Sequence, residues 1–139
     1  MKAGEDLAKN LKKGSIVAIE GPLGAGKTCF AKGIAAGLGI AEEVTSPSYT
    51  IISEYSGFLN KEKITMYHID AYRLNGNEDF YAIGGEEIVF GNGISVIEWS
   101  ERIPDFIPSN SIKAIIEIKK DDERYIRICG EGNSEYPCH

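Results

Sequence analysis

Residues Glu20 to Phe30 read "EGPLGAGKTCF", and Gly21, Gly26, Lys27 and Thr28 within it satisfy the spacing G-x-x-x-x-G-K-[ST], the P-loop. That combination suits a chain of phosphates. Successive backbone N–H groups must curl around the anion, which glycine-rich backbone permits. The helix expected to begin at Lys27 aims its positive end at the same oxygens. Lys27 adds a charge at the β/γ bridge, and Thr28 offers its hydroxyl to Mg²⁺. A glycine turn that matches by accident is the plain alternative. Against it stand a buried strand before the match and a periodic helix after it, the context the motif requires.

A Mg²⁺-nucleotide site also needs a carboxylate near the metal, usually at the C-terminal end of a strand beside the phosphate turn. Two residues qualify, Asp70 after "ITMYHI" and Glu98 in "ISVIEW". Either alone reads equally well as a solvated charge, whereas two strands ending this way favour metal or water positioning. Spacing does not rank them.

The elements that must position these groups follow from the hydrophobic pattern. "EDLAKNLKKG" puts Leu7, Ala8 and Leu11 on one helical face, with Gly14 as its stop. "SIVAIE" is a short β-branched run, as expected of a strand buried on both faces. After the glycine turn, Phe30, Ile34, Ala35 and Leu38 recur at helical spacing until "GLG". "EEVTSPSYT" reads as a loop into the strand "TIISEY"; "SGFLNKEK" reads as a turn, and "ITMYHID" as the antiparallel partner strand. Gly84 and Gly85 prevent one long helix over 78–90, and "GNG" leads into a third buried strand, "ISVIEW". "SIKAIIEIKKDDERYIRIC" reads as a hairpin around a charged turn. The sum is an α/β fold, P-loop NTPase-like and three-layered, whose mixed central sheet has a parallel core plus antiparallel strands and a C-terminal hairpin. Residues 1–130 are expected to form one domain and 131–139 a frayed tail.

Composition limits the function. The 139 residues are 42% hydrophobic and 26% charged, with formal net charge −6 and no Lys/Arg run longer than a pair. Autonomous binding to nucleic acid or an anionic membrane is therefore not expected. Three cysteines without metal-ligand spacing suggest neither a disulfide framework nor a zinc site, and Cys29 reads as a small buried residue. With no signal-like N-terminus and no run of about 20 apolar residues, the cytoplasm is the expected location.

Among P-loop proteins, a signalling GTPase needs D-x-x-G after its metal strand and N-K-x-D for guanine. Asp70 is followed by Ala-Tyr-Arg, and "NKEK" at Asn60 lacks the final acid. A small-molecule kinase needs an arginine-bearing lid, for which the chain is short, although Arg73 and Arg102 offer charge clamps. That reading stays as the alternative. A nucleotide-dependent binding module without useful turnover is a third class.

"GPLGAGKT", "VTSPSYTII", "HIDAYRL" and "IEWSERI", in this order and at these separations, resemble the bacterial TsaE (YjeE) family of P-loop ATPases. The resemblance runs from about Glu5 to Cys129, and its specificity lies in "TSPSYT", "HIDAYRL" and "EWSER" together. Pro22 and Cys29 depart from the family's acidic residue and small or hydroxyl residue at those places. The resemblance implies that Leu23, Gly24, Ala25, Gly26, Lys27 and Thr28 hold the phosphates of ATP. Thr28 and Glu98 would ligate Mg²⁺, and Asp70 would lie close to the metal or the attacking water. Lys27, Asp70 and Glu98 are thus the expected catalytic set. Thr45 and Ser46 would belong to a switch loop that senses the γ-phosphate, and Trp99 would pack against the site or a partner. Tyr72 and Arg73 share the pattern H-x-D-x-Y-R with His68, for which a structural and a catalytic role are equally open. Arg124 matches a C-terminal basic residue that faces the nucleotide. Family members also begin with a segment reaching the adenine side, which this sequence is not expected to contain.

The resemblance also implies a pathway, the installation of N6-threonylcarbamoyl on adenosine 37 of tRNAs reading ANN codons. In it such proteins act on a complex of TsaB and TsaD, a slow ATPase that the partners stimulate. Contact with tRNA would come only through those partners, consistent with the acidic net charge. ATP would order "VTSPSYT", the ordered face would dock, and hydrolysis would release it.

Overall fold

The computed structural model describes residues 2–22, 26–47, 50–120 and 123–130, and the backbone of 134–138. Leu23, Gly24 and Ala25 of the expected cradle lie outside the described residues.

Helix α1 (Lys2–Ala8) leads to strand β1 (Ile16–Glu20), the glycine-rich segment and helix α2 (Lys27–Gly37). Strands β2 (Ile52–Leu59) and β3 (Glu62–Asp70) follow, then two short helices, α3 (Asn77–Ala82) and α4 (Gly85–Val89). Strand β4 (Ile94–Glu98) precedes two 3-10 turns, Ser100–Arg102 and Pro104–Phe106. Strands β5 (Ile112–Ile118), β6 (Arg124–Cys129) and β7 (Ser134–Cys138) complete the described chain.

The seven strands form one sheet in the order β2-β3-β4-β1-β5-β6-β7. β3, β4, β1 and β5 run parallel, and β2, β6 and β7 pair antiparallel at the flanks. This is the expected mixed architecture. β1 and β4 are buried almost throughout because both faces of the sheet are covered there. On one face Val17 and Ile19 of β1 and Val96 of β4 pack against Leu7, Phe30 and Ile34 of α1 and α2. On the other, Ile16 and Ile97 meet Phe80 of α3, Val89 of α4, and Ile103 and Phe106 around the 3-10 turns. α1 and α2 cross backbone to backbone: a Cβ on Gly4 would stand 2.6 Å from the Phe30 carbonyl oxygen.

Several boundaries differ from the sequence expectation. The first helix is earlier and shorter, but bonds from Asn10 N–H to Leu7 (2.9 Å) and from Leu11 N–H to Ala8 (3.3 Å) continue its coil as a tighter turn. Leu11 therefore still reaches the core beside Leu7 and Ala8. "SGFLNKEK" is mostly strand, not turn. β2 extends to Leu59 opposite Glu62, leaving Asn60 and Lys61, both at positive φ, as a two-residue hairpin loop. α2 ends as expected, with Gly39 at φ 69 and Ile40 N–H bonded to the Ala35 carbonyl at 3.0 Å. In the tail, Ser134–Cys138 is a strand along β6 rather than a frayed end.

Candidate functional site

The site lies at the C-terminal ends of β1, β4 and β3, which the parallel register brings level: Ile19 stands opposite Glu98, and Glu98 opposite Asp70. Glu98 is on the strand next to β1, while Asp70 is one strand further out. The ranking of the two carboxylates that spacing left open is thus a matter of strand order.

Gly26 caps α2 with φ 99, a left-handed conformation that disfavours any side chain. It turns the chain from β1 into a helix whose first residues are Lys27 and Thr28. The first N–H groups of α2 have no intrahelical partner, which makes this end a natural anion seat. A Cβ on Gly26 would stand 3.9 Å from Arg124 Cδ, so the arm of Arg124, at the start of β6, passes over the turn.

Lys27 is only 6% exposed. Its ammonium donates to the carbonyls of Gly21 (2.5 Å) and Pro22 (3.1 Å) and stands 4.0 Å from the Trp99 ring centroid. Burial lowers its pKa below the ordinary 10.5, while the carboxylates of Glu98, Glu101 and Asp70 oppose that fall. The effect of Glu101 was not anticipated. Its only sequence signal is its place three residues after Glu98.

Thr28 Oγ1 lies 3.2 Å from both Glu98 oxygens, and His68 Nε2 lies 2.5 Å from Glu98 Oε2. Glu98 is 3% exposed and His68 is fully buried. A carboxylate in such a place needs partners, and the hydroxyl and the imidazole supply them. The hydroxyl and carboxylate together present the hard oxygen donors that suit Mg²⁺. His68, left open between a structural and a catalytic role, here holds the orientation of Glu98. Its Nδ1 has no hydrogen-bond partner among the described residues.

Asp70 is more open. Its Oδ1 accepts from Tyr72 N–H at 3.0 Å, and its Oδ2 lies 3.5 Å from Ser46 Oγ. The loop carrying Thr45 and Ser46 therefore passes beside Asp70. Thr45 and Ser46 are exposed, and the Thr45 N–H donates to the Tyr55 hydroxyl at 3.4 Å. That tether had no sequence signal beyond strand alternation. Trp99, directly after β4, sits at φ 60, a rare conformation for a bulky residue that costs about 1 kcal/mol or more. It starts the following 3-10 turn, and its ring lies 4.9 Å from that of Tyr72. Arg102 stacks over Tyr72 at 5.3 Å, outside the Lys27–Glu98 cluster. Cys29, expected to be buried, is exposed because its place on α2 faces away from both cores.

The sheet order, with Gly26 opening α2 after β1, defines a P-loop NTPase-like α/β protein. A family model described as "Threonylcarbamoyl adenosine biosynthesis protein TsaE" matches residues 1–126. The chain belongs to the TsaE family. The "tRNA threonylcarbamoyladenosine biosynthesis protein TsaE" of Treponema pallidum is 43% identical over 125 residues, covering 90% of this chain and 89% of that protein. The Bacillus subtilis protein of the same name is 39% identical over 122 residues, covering 88% and 73%. The crystal structure of YdiB from Bacillus subtilis superposes with a TM-score of 0.71 at 38% identity, covering 90% of this chain and 74% of that one. No helix among the described residues is long and apolar enough to cross a membrane.

Proposed function

We propose that this chain is a Mg²⁺-dependent ATP-binding and ATP-hydrolysing protein of tRNA threonylcarbamoyladenosine biosynthesis, acting on a TsaB–TsaD pair as a nucleotide-driven switch. The observation that carries the reading is the convergence of Thr28 and Glu98 at the start of α2. Family membership supplies the pathway.

In this reading the turn from Leu23 to Thr28 binds the phosphates through backbone N–H groups and the end of α2. Lys27 carries a point charge to the terminal phosphates, and Arg124 lies over the same turn. Thr28 and Glu98 would hold Mg²⁺, which would supply countercharge to the phosphates. His68 fixes the rotamer of Glu98. Asp70 orients water and, through Ser46, links the site to the loop that responds to nucleotide. Contact with tRNA comes through the partners, and the work is done in the cytoplasm.

Glu98→Gln separates binding from turnover. The variant is expected to retain ATP binding by calorimetry, to lose ATP hydrolysis, and to stop supporting threonylcarbamoylation after the first cycle. Modification that continues over many cycles with the variant would show that hydrolysis is dispensable.

A further inference from the structure

Helices α3 and α4 carry large apolar side chains on the outside. Tyr81 is 46% exposed, Ile83 44% and Phe90 52%. Tyr81 and Phe90 form one patch, because both rest on the buried Phe106, with ring centroids 4.6 and 6.1 Å away. Phe80 braces Phe106 from inside, edge-on at 4.6 Å. Aromatic side chains held rigid by a buried ring and open to water are costly to leave there and suit a protein interface.

The charge carried by the two helices has one sign. The sequence has no Lys or Arg between Arg73 and Arg102, whereas Glu78, Asp79, Glu86 and Glu87 lie on or beside these two helices. Each aromatic has a carboxylate one turn before it: Glu78 precedes Tyr81 by three residues and Glu86 precedes Phe90 by four. Asp105 adds a further acid, and its N–H donates to the Asn77 side chain at 3.1 Å, tying the 3-10 turn to α3. A second copy of this face would bring like charges together, and nucleic acid would be repelled.

We propose that the α3–α4 face is the surface on which the TsaB–TsaD pair docks, through an apolar socket bordered by Lys or Arg. The occupant rests on the function proposed above; the chemistry rests on the patch. The face is built from other residues than the Thr45–Ser46 loop. It shares its core with Ile69 and Ile97, which lie one residue before Asp70 and Glu98.

The test is the affinity of the full chain for purified TsaB–TsaD, with ATP, at low and high salt. The double change Tyr81→Ser and Phe90→Ser is expected to weaken binding at least tenfold while intrinsic ATP hydrolysis is unchanged. Glu86→Lys with Glu87→Lys is expected to slow association and flatten its salt dependence. Affinities within twofold of the unchanged chain, for both folded double variants, would overturn the docking surface and leave the proposed function standing. An unchanged chain that does not bind TsaB–TsaD would overturn both. A dimer of the unchanged chain that Tyr81→Ser and Phe90→Ser dissociate would also overturn the proposal, in favour of a second copy.

Discussion

Two clusters of charge stand on this sheet, and burial separates them. At the end of β4, Glu98 is enclosed with His68, Thr28 and Lys27. On the β5–β6 hairpin, Glu117 pairs with Lys119 at 3.0 Å and Arg127 at 2.9 Å, in contact with solvent. The distances are alike but the consequences are not. Water around Glu117 already solvates the charge, so its partners add little. Glu98 has lost that water and depends on the groups that replaced it. A charged group placed this way is costly for folding and, in the proposed function, useful for binding a metal nucleotide.

The comparison breaks most directly at His68. Replacing it with Ala leaves a buried carboxylate short of a partner, and urea unfolding is expected to lose about 3 kcal/mol. A loss below about 1 kcal/mol would show that Glu98 is solvated after all. Next is Lys27→Ala, expected to weaken ATP binding by about 2 kcal/mol or more, as for a lost charge-assisted phosphate contact. Unchanged affinity by calorimetry would contradict the cradle.

Lys27 also sharpens the contrast through pH. Burial lowers its folded pKa below 10.5, so the unfolded chain holds that proton more tightly. The charged lysine therefore costs stability below its folded pKa, and the cost fades as pH rises to 10.5. Lys27→Met is expected to be more stable than the unchanged chain at pH 7, with the gap closing toward pH 10.5. A gap that widens with pH would reverse the sign of the argument. Smallest is Glu117→Ala, expected to change stability by less than about 0.5 kcal/mol. A loss as large as that for His68→Ala would erase the distinction between the clusters.

Local pattern carried some of these features and not others. The helix opened by Gly26 and the β-branched strands were legible because each is set by neighbours in sequence. So were Asp70 and Glu98 as strand-end carboxylates. Their order was not, because it depends on β4 lying between β1 and β3, a pairing of segments far apart in the chain. The same holds for His68, whose partner is 30 residues away on the next strand. The Asn60–Lys61 loop was hidden for another reason: Ser56 and Gly57 resemble turn residues, yet they sit in the middle of β2. A Cβ on Gly57 would stand 2.6 Å from the Leu38 carbonyl oxygen, so its smallness serves packing against the end of α2.

The central claim is that the buried cluster works as a partner-dependent ATPase. It is tested most directly by phosphate release from Mg²⁺-ATP by the purified chain, with and without TsaB–TsaD, beside tRNA modification in the same mixture. The account predicts slow release alone, a marked rise with the pair, and loss of both release and repeated modification in Glu98→Gln. An unchanged rate of phosphate release on adding the pair would contradict it.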